Sequence, residues 1–214
     1  MLVGERMRRD PITVTEDVGI GEALRIMKEN KVRRLPVLNR QGKLIGMVSE
    51  KDLLHASPSP ATSLSIFELQ YLLSKLTVKK VMSSPVITVD EQTPLEEAAR
   101  IMVDNRIGGL PVMRGDQLVG IITETDLFKI FLELLGARDP GVRLTLKVPD
   151  RKGLLADLTG AIAGIGGDII SLGTFAGDEP DTALITVKVA DVTEHALLEA
   201  ISHIEGEVID IRTV

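Results

Sequence analysis

One stretch of this 214-residue chain is written twice. Sliding the sequence by 75 residues puts Met7 on Met82, Ile12-Thr13-Val14 on Ile87-Thr88-Val89, Arg25-Ile26-Met27 on Arg100-Ile101-Met102 and Leu35-Pro36-Val37 on Leu110-Pro111-Val112. After a one-residue gap, Leu44, Gly46, Glu50, Asp52 and Leu53 fall on Leu118, Gly120, Glu124, Asp126 and Leu127, and 19 of 43 aligned positions are identical. Chance does not supply that. A period this long marks a duplicated small module rather than a solenoid repeat, so the two copies fold alike.

Each copy reads β-α-β-β-α: a short strand (12–14, 87–89), a helix, a two-stranded hairpin and a second helix starting near the Asp. The first helix buries Leu95, Ala98, Ala99 and Met102, matched by Ile20, Ala23, Leu24 and Met27. In copy two Thr93 is placed to cap, Pro94 suits the first helical position and Glu96 closes a capping box. The copies span residues 1–57 and 78–137. Between them, residues 58–77 read as a breaker-rich start followed by a linker helix, in which Ser65 and Glu68 make a capping-box pattern. That helix carries too many apolar residues for one narrow stripe, as does 127–136, which stops at Gly136. Either surface packs on the chain's own modules or serves a dimer or partner.

Residues 141–214 do not continue the repeat. Val142, Leu144, Leu146 and Val148 alternate as a strand, and the segments that follow read helix, strand, strand, helix, strand. The order βαββαβ is that of the ferredoxin-like fold. The expected fold class is therefore α+β: two β-α-β-β-α repeats forming a tandem pair, then a ferredoxin-like third domain.

With 25 basic against 31 acidic residues, the net charge of -6 exerts no long-range pull on nucleic acid or anionic lipid. Any anionic ligand must be held by local groups. Aromatic residues make up 2% of the chain, which leaves bases little to stack on. There is no cysteine, hence no disulfide, thiol nucleophile or thiolate metal site. No apolar run approaches the roughly 20 residues of a membrane span, and the N-terminus lacks the apolar core of a signal peptide. The expectation is a cytoplasmic protein with no nucleic-acid or membrane partner.

Catalysis is hard to assemble. His55, His195 and His203 have no metal-ligand spacing and read as solvated surface groups. No nucleophile elbow or phosphate loop is present. The glycines of 164–169 follow a helix rather than a strand, the wrong context for a dinucleotide loop. The stronger signal closes each hairpin: Ser49 with Asp52, and Thr123 with Asp126. A hydroxyl and, three residues on, a carboxylate are suited to hold the hydroxyls of a ribose, while N–H groups at the helix start face a phosphate. The same pattern also serves as a plain helix cap. Its recurrence at equivalent places favours a ligand.

These residues resemble the CBS domain, the module named for cystathionine β-synthase: Ile-Thr-Val before the first helix, Leu-Pro-Val opening the hairpin, and Gly-x-x-[Ser/Thr]-x-x-Asp closing it, all three in both copies. The resemblance implies a tandem pair with two clefts that binds an adenine nucleotide (AMP, ADP, ATP or a related adenosyl ligand) as a regulatory ligand, with no catalytic cofactor and no metal. Carried over, Asp52 and Asp126 hold ribose, Ser49 and Thr123 assist at ribose or phosphate, and Thr13 and Thr88 with Pro36 and Pro111 of the Leu-Pro strands line the base pocket. Ahead of Leu-Pro-Val the copies differ. The first has Arg33-Arg34, suited to phosphate, and the second Gly108-Gly109, which let a ligand approach the backbone.

The tail resembles an ACT domain, an amino-acid-sensing module. The resemblance implies a ligand site at Asp150, Gly153, Leu154, Asp168 and Ile169, or else a pairing role. Lys152 and Asp168 stand where the family commonly has Pro and Asn. The combination is similar to the acetoin-utilisation (AcuB) family, which implies a non-enzymatic, homodimeric regulator of an unknown metabolic enzyme. The alternatives are a constitutive scaffold with empty clefts and an amino-acid sensor acting through the ACT domain.

Overall fold

The Leu-Pro-Val runs sit at the centre of the sheets, where apolar side chains are covered on both faces. In the computed structural model, which describes residues 1–56 and 76–214, the chain divides into two units, Met1–Leu127 and Phe128–Val214. The linker-helix reading, with its Ser65–Glu68 cap, falls almost wholly on residues outside those described. Val78–Lys80, which follow, form a single 3₁₀ turn.

The first unit starts with a short helix, α1 (Val3–Arg6), and strand β1 (Arg8–Arg9). Repeat one continues with β2 (Val14–Thr15), α2 (Ile20–Glu29), β3 (Arg34–Leu38), β4 (Leu44–Ser49) and α3 (Glu50–Ala56). Repeat two runs β5 (Val89–Asp90), α4 (Leu95–Asn105), β6 (Gly109–Arg114), β7 (Gln117–Thr123) and α5 (Glu124–Leu134). The first strand of each repeat therefore starts two residues later than expected, and Thr13 and Thr88 precede it. In both repeats this strand pairs parallel to its own Leu-Pro-Val strand, Val14 with Val37 and Val89 with Val112, and the hairpin is antiparallel.

What precedes those strands goes elsewhere. Strand β1, from the lead of repeat one, pairs with β7 of repeat two, Arg8 opposite Ile121. Reciprocally, Ser83, from the lead of repeat two, bridges Met47 of β4, with backbone bonds of 2.8 and 3.1 Å. The lead segments are thus exchanged between repeats. Val78, fully buried, belongs to the core of repeat one beside Ile20, Met27, Leu35 and Leu53, with Val81 and Met82 packed against it. The exchange also replaces the expected cap of α4. The helix starts at Leu95, and its N-cap is Pro94 with no side-chain bond. Instead, Leu95 N donates to Met1 O (3.2 Å), and Thr93 offers its carbonyl to Val3 N (2.9 Å). An incoming backbone has satisfied the helix end that a hydroxyl was expected to serve.

The second unit contains β8 (Val142–Pro149), α6 (Leu154–Gly164), β9 (Asp168–Ala176), β10 (Thr182–Ala190), α7 (Glu194–Ala200) and β11 (Glu207–Thr213). The sheet order is β11-β8-β10-β9 with every neighbour antiparallel. Alternation places Val142, Leu144, Leu146 and Val148 in one core with Leu158, Ile162 and Leu197 from the helices. The unit's two buried polar side chains close the end of α5: Lys188 Nζ donates to Gly136 O (2.9 Å) and Ser171 Oγ to Leu135 O (3.1 Å).

Candidate functional site

Each hairpin ends where the chain turns from strand into helix, and the two polar pairs have the same local geometry. Ser49 donates to Asp52 Oδ2 through its backbone N (2.9 Å) and its Oγ (2.6 Å). Asp52 N returns a bond to Ser49 Oγ (3.2 Å). Thr123 N (3.1 Å) and Oγ1 (2.6 Å) likewise donate to Asp126 Oδ2. The Asp carboxylate therefore holds the strand end in both repeats, and at Asp52 these bonds engage Oδ2 while Oδ1 takes no part in them.

A cleft of about 740 Å³ opens beside Ser49 and Asp52, within the roughly 300–1,000 Å³ usual for small-molecule sites. Both repeats line it. Repeat one supplies Arg33, Arg34, Met47, Ser49, Glu50, Lys51, Asp52 and His55; repeat two supplies Ser83, Pro85, Val86, Ile87, the loop from Arg106 to Gly109, Pro111 and Glu124. One wall is apolar: Ile87 leaves 40% of its surface uncovered, beside Val86 and Met47. Four cations, Arg33, Arg34, Lys51 and Arg106, face three carboxylates, Glu50, Asp52 and Glu124. The cleft thus carries a local positive excess that the chain as a whole lacks.

Arg34 crosses from repeat one to repeat two. A Cβ on Gly108 would overlap its guanidinium, and one on Gly109 would lie 3.2 Å from its Cδ. Its Nη2 reaches Glu124 Oε2 at 3.8 Å, while Arg33 Nη2 donates to Thr125 Oγ1 at 3.4 Å. Burial draws the Arg34 guanidinium below its usual value, a pull that the Glu124 carboxylate opposes. Arg34 therefore packs beside Gly108 and Gly109, which both line the cleft.

Of the residues singled out in the CBS repeats, the cleft gathers Arg34, Ser49, Asp52, Gly108, Gly109 and Pro111. Thr13, Pro36, Thr88, Thr123 and Asp126 lie outside its lining. Pro36 is buried and Thr88 exposed. Of the residues expected at the base pocket Pro111 lines the cleft, and Ser83, Pro85, Val86 and Ile87 join it from the lead of repeat two. Lys51, His55, Val86, Ile87, Arg106 and Glu124 were missed. His55 follows Asp52 by three residues and Lys51 by four, spacings visible in the sequence that set it one helical turn from each. Ile87 is legible as part of the repeated Ile-Thr-Val, but neither it nor Val86 is marked as facing Ser49 and Asp52, because only the exchanged lead brings them there.

The five tail residues do not make one site in a single chain. Strands β8 and β9 both run antiparallel to β10, so they are parallel to each other. Asp150 and Gly153 follow the β8 end where Pro149 faces Thr182, whereas Asp168 faces Ala190 at the other end. Eight residues of ladder, roughly 25 Å at about 3.3 Å each, separate the two groups. Leu154 is in the core at 5% exposure and Ile169 packs against it. Gly153 is the N-cap of α6 with φ 86. Among the described residues no group of three or more His, Cys, Asp or Glu is placed to hold a metal, and no helix is long and apolar enough to cross a membrane.

The profile of the CBS domain matches residues 3–59 and 78–133, more than half the chain. The chain belongs to the CBS-domain family. Its CBS pair is 34% identical over 131 residues to the uncharacterised protein MJ1404 of Methanocaldococcus jannaschii, a match covering 60% of this chain but 31% of that relative, so this chain spans about a third of that protein's length. Among solved structures, a putative acetoin utilization protein (AcuB) from Vibrio cholerae is 32% identical, with 65% of this chain and 96% of that one covered and a TM-score of 0.53. The CBS pair of protein MJ0100, in complex with 5'-methylthioadenosine and S-adenosyl-L-methionine, is 27% identical over 65% of this chain and 98% of its own (TM-score 0.52). CBSX2 in complex with AMP is 31% identical over 61% and 96% (TM-score 0.51).

Proposed function

We propose that this CBS pair binds an adenine nucleotide or related adenosyl ligand in the cleft beside Asp52, and that the chain is a non-catalytic regulator of a metabolic partner. One observation carries the reading: a hydroxyl–carboxylate pair, a cluster of cations and the apolar residues Val86 and Ile87 line one cleft. An apolar wall suits a base, Asp52 Oδ1 suits a ribose hydroxyl, and the guanidiniums suit phosphate. The similarity to the pairs solved with AMP and with S-adenosyl-L-methionine supports the ligand class. By the same local geometry, Thr123 and Asp126 serve ribose in the second repeat. The decisive experiment is titration calorimetry with AMP. Asp52→Ala is expected to weaken binding at least tenfold, through loss of hydrogen bonds to a charged group; undiminished affinity overturns the assignment.

The βαββαβ order of the tail supports an ACT domain, read as a pairing module in a cytoplasmic homodimer, because its candidate ligand residues do not converge in one chain. The similarity to the Vibrio cholerae protein supports a role in acetoin utilisation.

A further inference from the structure

Of the three carboxylates lining the cleft beside Asp52, Glu50 and Asp52 belong to repeat one, and Glu124 arrives from repeat two. Glu124 is the first residue of α5, directly after Thr123. Its side chain is 58% exposed, and Arg34 Nη2 stands 3.8 Å from its Oε2, beyond hydrogen-bonding reach. This loose pair leaves the Glu124 field felt inside the cleft. The pair exists because Gly108 has no side chain. A Cβ there would overlap the Arg34 guanidinium and lie 2.5 Å from Glu124 Oε2. Four cations against three carboxylates leave an excess of one positive charge, which offsets a large part of the roughly −2 charge of a monophosphate and a much smaller part of a triphosphate's.

We propose that Glu124 is a specificity-determining residue of this cleft, setting an upper limit on the phosphate charge of the ligand. The cleft then prefers adenosine carrying one phosphate to adenosine carrying three, because each added phosphate lengthens the anionic tail against a fixed carboxylate. The proposal rests on the nucleotide reading above and deepens it. Neutralising the carboxylate is expected to relax the preference, whereas removing Arg34 sharpens it by leaving Glu124 without its cation.

The test is titration calorimetry of the full chain with adenosine, AMP, ADP and ATP, without divalent cations, at low and high salt. In the wild type, affinity is expected to fall from AMP through ADP to ATP. Glu124→Gln keeps size and exposure, so its melting temperature should match the wild type. It is expected to narrow the ratio of AMP to ATP affinity by about tenfold at low salt, and by less at high salt, with adenosine binding shifted less than about twofold. Arg34→Gln is expected to widen that ratio. A wild type that prefers ATP overturns the charge limit and leaves the nucleotide reading standing. So does a Glu124→Gln chain whose affinities all move by one factor or whose AMP to ATP ratio is unchanged. A wild type that binds none of the four overturns the nucleotide reading, and the charge limit with it.

Discussion

At the scale of single residues, the glycine of each Gly-x-x-[Ser/Thr]-x-x-Asp motif has a steric task visible only across the repeats. A Cβ on Gly46 would overlap the Met82 sulfur, and one on Gly120 the Met7 sulfur. Each methionine comes from the lead of the opposite repeat. Gly120 is the tighter of the two, because the added carbon would also meet the Arg8 carbonyl oxygen at 3.0 Å, and a backbone atom does not step aside as a thioether does. Gly120→Ala is accordingly expected to destabilise the protein by about 1–3 kcal/mol, the usual range for overpacking, read as a lower denaturation midpoint. The Met7→Ala/Gly120→Ala double variant should recover part of the loss. Strict additivity of the two single effects would show that the groups do not meet.

Among elements, the exchanged lead segments dominate. A duplicated text is equally compatible with two self-contained modules and with two modules that trade their leads, since both satisfy the same local periodicities. The trade buries Val78 in repeat one at 0% exposure, and Val78 N donates to Val18 O at 2.8 Å while Ile20 N donates to Leu76 O at 3.1 Å. Val78→Ala is expected to cost about 1–3 kcal/mol from lost methyl burial and the cavity left behind. Hydrogen exchange should show the loss in α2 and β3, elements of repeat one, although residue 78 precedes repeat two in the text. Faster exchange confined to repeat two would refute the exchange. The tail presents the opposite case. Its strands, helices and order were legible, because its core is assembled from elements that follow one another in the chain.

For the whole molecule, charge sets the acid limit. Asp17 is held below the ordinary carboxylate range by the Thr15 hydroxyl. Hydrogen bonds from Arg25, Arg114, Arg100 and Arg212 do the same for Glu22, Glu91, Glu97 and Asp210. A carboxylate whose folded value is depressed contributes stability that is complete above its unfolded value, about 4, and lost as pH falls through the folded value. The melting temperature is therefore expected to be level from about pH 8 to 5 and to fall below about pH 4.5. The groups are exposed, so the fall should be shallow and further reduced by salt. A melting temperature that drops as pH rises from 5 to 8 would contradict this.

By itself the sequence determined the duplication, the β-α-β-β-α order, the ferredoxin-like order of the tail and the two hydroxyl–carboxylate pairs. Each of these is written in spacings of a few residues, where side-chain periodicity and hydrogen-bond reach operate. The tertiary structure decided which lead faces which pair, and so put Val86, Ile87 and Glu124 beside Asp52 and laid Arg34 across Gly108. It also set Asp150 and Asp168 at opposite ends of one sheet. Those outcomes depend on pairing segments far apart in the chain, decided by packing Met7 and Met82 against glycines and by the direction in which strands run, neither of which a local pattern encodes.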